Sequence, residues 1–313
     1  MSVEFKHISV LLEESVDMLD VKPDGIYADG TLGGGGHSSL ICSRLGEGGR
    51  LIGIDRDMTA INAATDRLSG FGNKVTIVHN NFANIKEVLA QLGVDKIDGA
   101  ILDLGVSSPQ LDTADRGFSY NMDARLDMRM NRDDSLSAYE VVNKYSEAEL
   151  AKIIFDYGEE RFARQIAKGI VCAREARNIE TTFELTEIIK SSIPAKARFA
   201  DKHPAKRTFQ AIRIEVNNEL GILENAIKDF VEVLNPGGVL SVITFHSLED
   251  RIVKQTFQGL AEGCICPKSF PVCVCGNKPK VRIITRKPII SGDAELNENM
   301  RAHSAKLRAV KKI

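Results

Sequence analysis

The sequence Asp29-Gly30-Thr31-Leu32-Gly33-Gly34-Gly35-Gly36-His37-Ser38 places five glycines behind an acidic residue. It follows the short apolar run 25–28 and precedes an apolar-periodic segment that contains Leu40, Ile41 and Leu45. This is the order strand, glycine-rich turn, helix. Because glycine has no Cβ, its backbone approaches a ligand closely, and the following helix offers unpaired N–H groups at its start. The run therefore predicts a binding site for a nucleotide-like ligand.

The glycines alone do not identify the ligand, because dinucleotide sites use the same turn. Asp29 narrows the choice, since its carboxylate would repel a pyrophosphate but attract a ligand that carries an ammonium and a sulfonium group. S-adenosylmethionine (SAM) is such a ligand. A nicotinamide dehydrogenase is the alternative enzyme, although Thr31 stands where a strict G-x-G-x-x-G motif needs glycine.

Apolar runs of strand length alternate with amphipathic segments of helix length through the first third of the chain and again near its end. This alternation predicts an α/β fold with a parallel, doubly wound, Rossmann-like sheet. One long helix is expected over 208–234, and the charged tail 295–313 is expected to be partly helical. The predicted strands cover residues 25–28, 50–55, 75–78, 97–104, 239–245 and 281–285.

A long segment between the fourth and fifth strands has no strand periodicity. Its helices begin with the Ser/Thr-x-x-Glu spacing of the capping box, at Ser137, Ser146 and Thr181. Residues 110–203 are therefore predicted to form an all-helical insertion. Residues 1–109 and 204–313 are predicted to form one discontinuous ligand-binding domain.

Polar and glycine residues collect where the predicted parallel strands end. Asp55 follows the glycines by about 20 residues, the spacing that places an acid on ribose hydroxyls. Phe82 and Asn81, after the third strand, are placed to cover an adenine face and to pair with its edge. A purely structural role, in a helix cap or a turn, would explain any one of these residues. It would not explain why all the strand ends carry a polar or glycine residue. The expected cofactor site comprises Asp29, Gly33, Gly34, Gly35, Gly36, His37, Asp55, Asn81, Phe82 and Asp103.

Asp103 also begins a run, residues 103–110, that suits transfer to an amino group. The amine of a nucleobase is a poor nucleophile because its lone pair is delocalised into the ring, so a site must hold it with fixed acceptors. Asp103 and the backbone around Ser107, Ser108 and Pro109 are expected to supply them, although a Ser-Pro turn explains both serines equally well.

His246, just beyond the fifth strand, has two interpretations of equal weight. Its ring either contacts the substrate nucleotide or supports a helix cap formed by Ser247 and Asp250. The helix that follows is expected over 248–260.

The 313 residues carry a formal net charge of −2, so a nucleic-acid surface must come from local segregation of charge. Basic residues cluster in 196–213, 278–288 and 301–312, and three such clusters favour contact with RNA phosphates over a merely solvated surface. The chain shows no long apolar run and no signal peptide at its start, so a cytoplasmic protein is expected.

Four of the six cysteines lie in two C-x-C pairs, Cys264 with Cys266 and Cys273 with Cys275. A structural zinc site and a loop of reduced thiols explain them equally well, because C-x-x-C is the commoner zinc spacing. No catalytic metal is predicted, since no histidine or carboxylate cluster lies near them in sequence.

Nine runs of the sequence are distinctive in combination: HISVLLEE at 7–14, DGTLGGGGHS at 29–38, GIDRD at 53–57, LDLGVSSPQL at 102–111, RGFS at 116–119, LDMRM at 126–130, YGEER at 157–161, RTFQA at 207–211 and FHSLEDR at 245–251. Together they closely resemble the RsmH (MraW) family of bacterial methyltransferases of the small-subunit ribosomal RNA. The resemblance spans nearly the whole chain.

This resemblance implies a class I SAM-dependent methyltransferase with a helical domain inserted after the fourth strand. It implies N(4)-methylation of a cytidine in the decoding region of 16S rRNA. The expected partner is 16S rRNA or the small ribosomal subunit. Binding to DNA or to a membrane is not expected. Gln110 joins the SAM contacts by the same resemblance.

The cytidine is expected to flip into a cleft between the sheet edge and the helical insertion. The non-enzyme alternative is an RNA-binding assembly factor with a vestigial SAM site. The set of Asp29, Asp55 and Asp103 disfavours it.

Overall fold

The computed structural model describes residues 9–198, 203–264, 266–267, 270–272 and 274–313. They divide into two compact units. The first contains the residues up to Gly105 and from Leu220 onward, and the second is Val106–Glu219. The second unit is therefore longer at both ends than the predicted insertion, 110–203.

The first unit is built on one seven-stranded sheet in the order β3-β2-β1-β4-β5-β7-β6. Neighbouring strands from β3 to β5 run parallel, whereas β7 is antiparallel to both β5 and β6. The predicted doubly wound α/β sheet, with the strand order of class I SAM methyltransferases, is confirmed. The strands are β1 Ile26–Asp29, β2 Arg50–Asp55, β3 Val75–His79, β4 Ile97–Asp103, β5 Leu234–Thr244, β6 Val281–Ile283 and β7 Lys306–Lys312.

Helices cover both faces of this sheet, as apolar parallel strands require. On one face, Val16 of α1 and Ile41 of α2 pack with Tyr27 and Leu51. On the other face, Phe230 of α12 and Phe257 of α13 are fully or almost fully buried in the larger core cluster. The helices of this unit are α1 Leu12–Leu19, α2 Gly36–Arg44, α3 Met58–Leu68, α4 Ile85–Gln91, α12 Leu223–Val233, α13 Ser247–Ala261 and α14 Asp293–Glu298.

The second unit is helical and has its own apolar core, which includes Val141, Leu150, Ile166 and Phe209. The three predicted capping boxes, at Ser137, Ser146 and Thr181, are confirmed. Its helices are α5 Ser108–Asp112, α6 Ala138–Lys144, α7 Glu147–Asp156, α8 Ala163–Ala176, α9 Thr182–Ser192, α10 Ala195–Arg198 and α11 Lys206–Asn217.

The expected single helix over 208–234 is wrong, because α11 ends at Asn217 and α12 starts at Leu223. Asn218 ends α11 in the left-handed conformation, with φ of 47°. Asparagine tolerates this conformation better than most residues. Apolar periodicity continues across the break, which is why the pattern alone did not show it.

The charged tail 295–313 is partly helical as predicted, since α14 extends to Glu298, but its residues 306–312 form an unpredicted strand, β7, inside the sheet. Leu307, Ala309 and Val310 are fully buried. Arg308 is 7% exposed, and its Nε donates to Asp250 Oδ1 at 2.6 Å. The charged residues of this segment therefore hid the strand pattern, and the buried cation, Arg308, is neutralised by Asp250 within the fold.

Among the helices of the described residues, none combines the length with the apolar composition that crossing a membrane requires.

Candidate functional site

The glycine turn between β1 and α2 has a backbone that side chains would disturb. Gly33 and Gly35 have φ of 52° and 75°, in the left-handed region that favours glycine. A Cβ on Gly36 would collide with Ser9 Oγ. Gly34 is buried within the same turn. Because residues 33–36 are all glycines, only backbone atoms of this turn lie next to the start of α2.

Two carboxylates hold this turn from either side. Asp29, which is 1% exposed, accepts hydrogen bonds from Thr31 N at 3.1 Å and from Ser38 Oγ at 2.7 Å. Asp55, at the end of β2, accepts from Gly33 N at 2.8 Å and from Asp57 N at 2.9 Å. The carboxylate of Asp29 is thus engaged by the turn that it shapes, while Asp55 remains half-buried at the strand end.

Asp103 ends β4 beside the same turn, and its N–H donates to Thr31 Oγ1. Its side chain is 19% exposed, and among the described residues its buried Oδ1 has no hydrogen-bond partner. Its Oδ2 lies 3.9 Å from His37 Nδ1. A buried carboxylate oxygen without a protein partner is an acceptor available to a ligand.

Burial raises the pKa values of these acids. The pKa of Asp29 rises to about 6, although hydrogen bonds from Ser38 and Thr31 oppose the shift. Burial likewise raises the pKa of Asp55. Burial, reinforced by the negative charge of Asp29, raises the pKa of Asp103 to about 8, against the opposing charge of Arg301. A cationic ligand would reverse these shifts, because it stabilises the ionised carboxylates.

The other predicted cofactor residues lie around this centre with different exposures. His37 is 4% exposed, and its Nε2 lies 3.2 Å from Val10 O, so its ring is in contact with the backbone before α1. Phe82 is half-buried and packs close to the turn. A Cβ atom added to Gly30 would lie only 3.1 Å from the Cβ of Phe82. Asn81 caps the short helix of Phe82, with its Oδ1 accepting from Ala83 N at 3.0 Å.

The run after Asp103 crosses into the second unit, where Ser107 begins α5. Ser107 Oγ accepts from Gln110 N at 3.4 Å, and Gln110 Oε1 accepts from Ser107 N at 3.0 Å. This is a capping box, with Ser108 and Pro109 in the first turn of the helix. Gln110 is 5% exposed, and its described contacts serve the cap.

His246 is itself the N-cap of α13, in place of the cap expected from Ser247 and Asp250. Its Nδ1 accepts from Glu249 N at 3.4 Å, and its Nε2 lies 3.1 Å from Glu249 Oε1. The Glu249 carboxylate accepts in turn from the backbone of His246 and Phe245. Asp250 is unavailable for capping because it binds Arg308 and Lys306 of β7. His246 therefore belongs to a helix cap, as one interpretation expected, but it is the capping residue itself rather than a support for a cap formed by Ser247.

Residues 4–313 match the model of the MraW methylase family. The chain belongs to this family. It is 62% identical to "Ribosomal RNA small subunit methyltransferase H" of Lachnospira eligens, covering 99% of both chains. It is 56% identical to the protein of the same name from Brevibacillus brevis, covering 100% of this chain and 99% of the relative. A solved rRNA methylase from Streptococcus thermophilus covers 98% of both chains, with 11% identity and a TM-score of 0.43.

As a member of the MraW methylase family, the chain is a SAM-dependent methyltransferase, so the dehydrogenase alternative is wrong. The residues fit SAM on three observations. The glycine turn carries no side chains from residue 33 to residue 36, Asp55 ends the second strand where ribose hydroxyls bind in such folds, and the Oδ1 of Asp103 has no hydrogen-bond partner among the described residues.

Three contributors to this site escaped sequence reasoning. Thr31 joins the glycine turn to the end of β4. Glu249 organises the His246 cap and raises the pKa of Asp103 in addition to burial and Asp29. Arg301 opposes those effects from the segment before β7. Thr31 was visible as the residue that breaks the dinucleotide motif, whereas Arg301 lies too far along the chain for any local pattern to assign it.

The three basic segments differ in how much charge they leave for a partner. Arg308 and Lys306 bind Asp250, and Arg213 binds Glu219, so these cations serve the fold. Lys202 lies outside the described residues. In the first unit, a groove of about 720 Å³ lies along α13 and β6, and no acid lines it among the described residues. Its exposed or half-buried cations are Lys254, Arg282, Arg286, Lys311 and Lys312.

Proposed function

We propose that this chain methylates the exocyclic 4-amino group of a specific cytidine in the decoding region of 16S rRNA, giving N(4)-methylcytidine. Membership of the MraW methylase family and the name shared by its relatives support the ribosomal RNA substrate. The motif resemblance supports the choice of base and position. The observation that carries the amine chemistry is the buried, unpartnered Oδ1 of Asp103 among the described residues.

When bound, SAM supplies an electrophilic methyl group on its sulfonium. The chain must hold the cytosine amine in line with that group, because the delocalised lone pair makes the amine a poor nucleophile. Asp103 accepts a hydrogen bond from the amine and so orients it. As the new N–C bond formed, the bond between the methyl group and the sulfonium of SAM would break and leave a neutral thioether. The amine would then lose a proton, and Asp103, whose carboxylate the bound cation keeps ionised, would take it.

The remaining candidates act around this acceptor. The carbonyls of Ser107 and Pro109 already accept from Leu111 N and Thr113 N, each keeping a second lone pair. Asp103 is therefore the better supported amine acceptor, with Ser107, Ser108 and Pro109 shaping the path of the chain beyond it. His246, whose side chain is 10% exposed, would contact the substrate nucleotide from the start of α13.

RNA contact in this proposal is mainly electrostatic. The groove along α13 and β6 offers five cations to phosphates, and the helical unit supplies the exposed Arg164 and Lys168. A cytoplasmic location follows from a ribosomal substrate and belongs to the same proposal.

Mass spectrometry of rRNA nucleosides from cells with and without the gene tests this function. N(4)-methylcytidine should disappear from small-subunit rRNA on deletion and return when the wild-type chain is supplied. Persistence of unchanged N(4)-methylcytidine in the deletion strain would refute the substrate assignment. Failure of the purified chain to transfer a labelled methyl group to any rRNA substrate would favour the assembly-factor alternative.

A further inference from the structure

Three cysteine thiols converge in the loop between α13 and β6. The Sγ atoms of Cys264, Cys266 and Cys275 all lie within 4.8 Å of one another. Cys275 Sγ and Cys264 Sγ are 3.8 Å apart. All three residues are thiols rather than half-cystines. The fold thus brings Cys275 to the first C-x-C pair, although several residues separate them in sequence.

This spacing suits a metal rather than a disulfide. Sulfurs bound at about 2.3 Å to one zinc ion with tetrahedral angles lie about 3.8 Å apart. A disulfide would require about 2.05 Å between the sulfurs. The separation of Cys264 and Cys275 therefore equals that of two ligands of one tetrahedral ion.

Backbone N–H groups already point at the sulfurs. Val274 N donates to Cys266 Sγ at 3.4 Å, and Asn277 N donates to Cys275 Sγ at 3.5 Å. Gly276, between Cys275 and Asn277, has φ of 64°, which lets the chain turn back toward the preceding sulfur. Hydrogen bonds to sulfur stabilise the deprotonated thiolate, which is the form that binds metals.

The loop has few other means of holding its shape. Among its described residues from 262 to 280, none is buried and none belongs to a helix or strand. Phe270, Val272 and Val274 are 50% to 73% exposed, so no apolar core forms beneath them. Asn277 Nδ2 donates to Gly263 O at 2.6 Å and joins the two arms beside the thiols. A long loop whose described residues form neither a core nor secondary structure needs a local constraint to stay ordered.

We propose that Cys264, Cys266 and Cys275 bind one structural zinc ion as thiolates. Binding replaces three S–H bonds by three S–Zn bonds and releases three protons, so affinity falls at low pH. A fourth ligand completes the tetrahedron, and the three described thiolates define the site without it. Cys273 lies outside the described residues. The ion joins the end of α13 to the segment before β6, which carries Lys278 and Lys280.

The test is metal analysis of the full-length chain, purified under reducing conditions and reconstituted with zinc. Native mass spectrometry should show one zinc per chain in the wild type. Cys264→Ser and Cys275→Ser should each lose the ion, whereas Cys172→Ser, which removes an exposed thiol of α8, should retain it. Cobalt substitution should give the visible bands of a tetrahedral ion and a thiolate charge-transfer band in the near ultraviolet.

Two results would overturn the zinc site. One is a reconstituted wild type without stoichiometric metal. The other is retention of the ion by both serine variants. Limited proteolysis supplies a readout independent of catalysis, because chelation should expose the loop 262–280 to cleavage in the wild type but change nothing in Cys264→Ser. None of these measurements depends on the RNA substrate, so they separate the zinc site from the proposed function.

Discussion

Asp103 carries the residue-scale consequences, because its Oδ1 has no hydrogen-bond partner among the described residues. Asp103→Asn keeps the size of the side chain but removes its charge and its capacity to take up a proton. Methyl transfer to rRNA should fall by about 100-fold or more, the usual loss when one oriented polar contact to the reacting group is removed. Transfer of a radiolabelled methyl group from SAM measures this loss.

The matched control is Asp66→Asn, which changes an exposed carboxylate on α3. It should leave transfer unchanged. If Asp103→Asn retained wild-type kcat, Asp103 would not be the amine acceptor.

The raised pKa values of Asp29 and Asp103 make SAM binding depend on pH. In the folded chain Asp29 holds a proton below about pH 6 and Asp103 below about pH 8, and a bound sulfonium and ammonium would displace these protons because cations favour ionised carboxylates. SAM affinity should therefore rise as the pH increases through about 6 to 8, the range of the two raised pKa values, by at most about tenfold per pH unit for each proton released. Calorimetry in buffers of different ionisation enthalpy would count these protons. A flat profile would contradict the coupling.

The free energy of unfolding of the ligand-free chain should fall as the pH rises, whereas SAM affinity should increase. Both carboxyls ionise near pH 4 in the unfolded chain, whereas burial keeps them protonated to higher pH in the folded chain. Their contribution to stability is thus fully present below about pH 4 and is lost as the pH rises through their folded pKa values. Asp103→Asn should flatten that loss, as urea unfolding at several pH values would show.

At the scale of the element, β7 depends on Asp250. Its carboxylate binds Arg308, which is 7% exposed, and Lys306 lies 3.3 Å away. Asp250→Ala would leave a nearly buried guanidinium without its carboxylate and should destabilise the first unit by about 3 kcal/mol. Chemical denaturation measures the change.

Asp293→Ala is the appropriate comparison, because it removes an exposed carboxylate from α14 nearby in sequence. Asp293→Ala should lower the free energy of unfolding far less than Asp250→Ala does. Equal losses for the two variants would mean that the pair with Arg308 does not secure β7.

Sequence patterns were sufficient for the parallel half of the sheet, because each strand is a short apolar run bounded by turn residues. They failed at β7, where lysines and arginines alternate with Leu307, Ala309 and Val310 and so masked a buried strand. They also identified Asp55 and Asp103 at strand ends but not Arg301, whose influence on Asp103 depends on long-range folding. A helix cap such as that of α13 depends only on neighbouring residues. Even so, the sequence does not show whether His246 or Ser247 is the N-cap, because that depends on which of them has the extended backbone conformation.

At the scale of the whole molecule, charge segregation predicts how the chain binds RNA. Arg282→Ala with Arg286→Ala removes two exposed cations from the groove along α13 and β6. RNA affinity should fall, and the slope of log K against log salt should become shallower by roughly 1.5, since each phosphate contact contributes about 0.7 to 0.9. Fluorescence anisotropy with an rRNA fragment at several salt concentrations gives both values.

Lys152→Ala with Lys228→Ala provides a control of equal charge. Both lysines are exposed and paired with a carboxylate on their own helix. An identical slope change in the two double variants would show that the groove has no special part in RNA binding.

The pairing of β4 with β5 also has a kinetic consequence. Ile97 pairs with Leu234 across a connection that contains the entire second unit, so forming this central pair closes a very long loop. Loop closure costs more chain entropy as the connection lengthens, but local helices form rapidly and shorten the free chain. The helical unit should therefore condense before the sheet closes. Substitutions in its core, such as Ile166→Ala, would then slow completion of a sheet to which Ile166 does not belong.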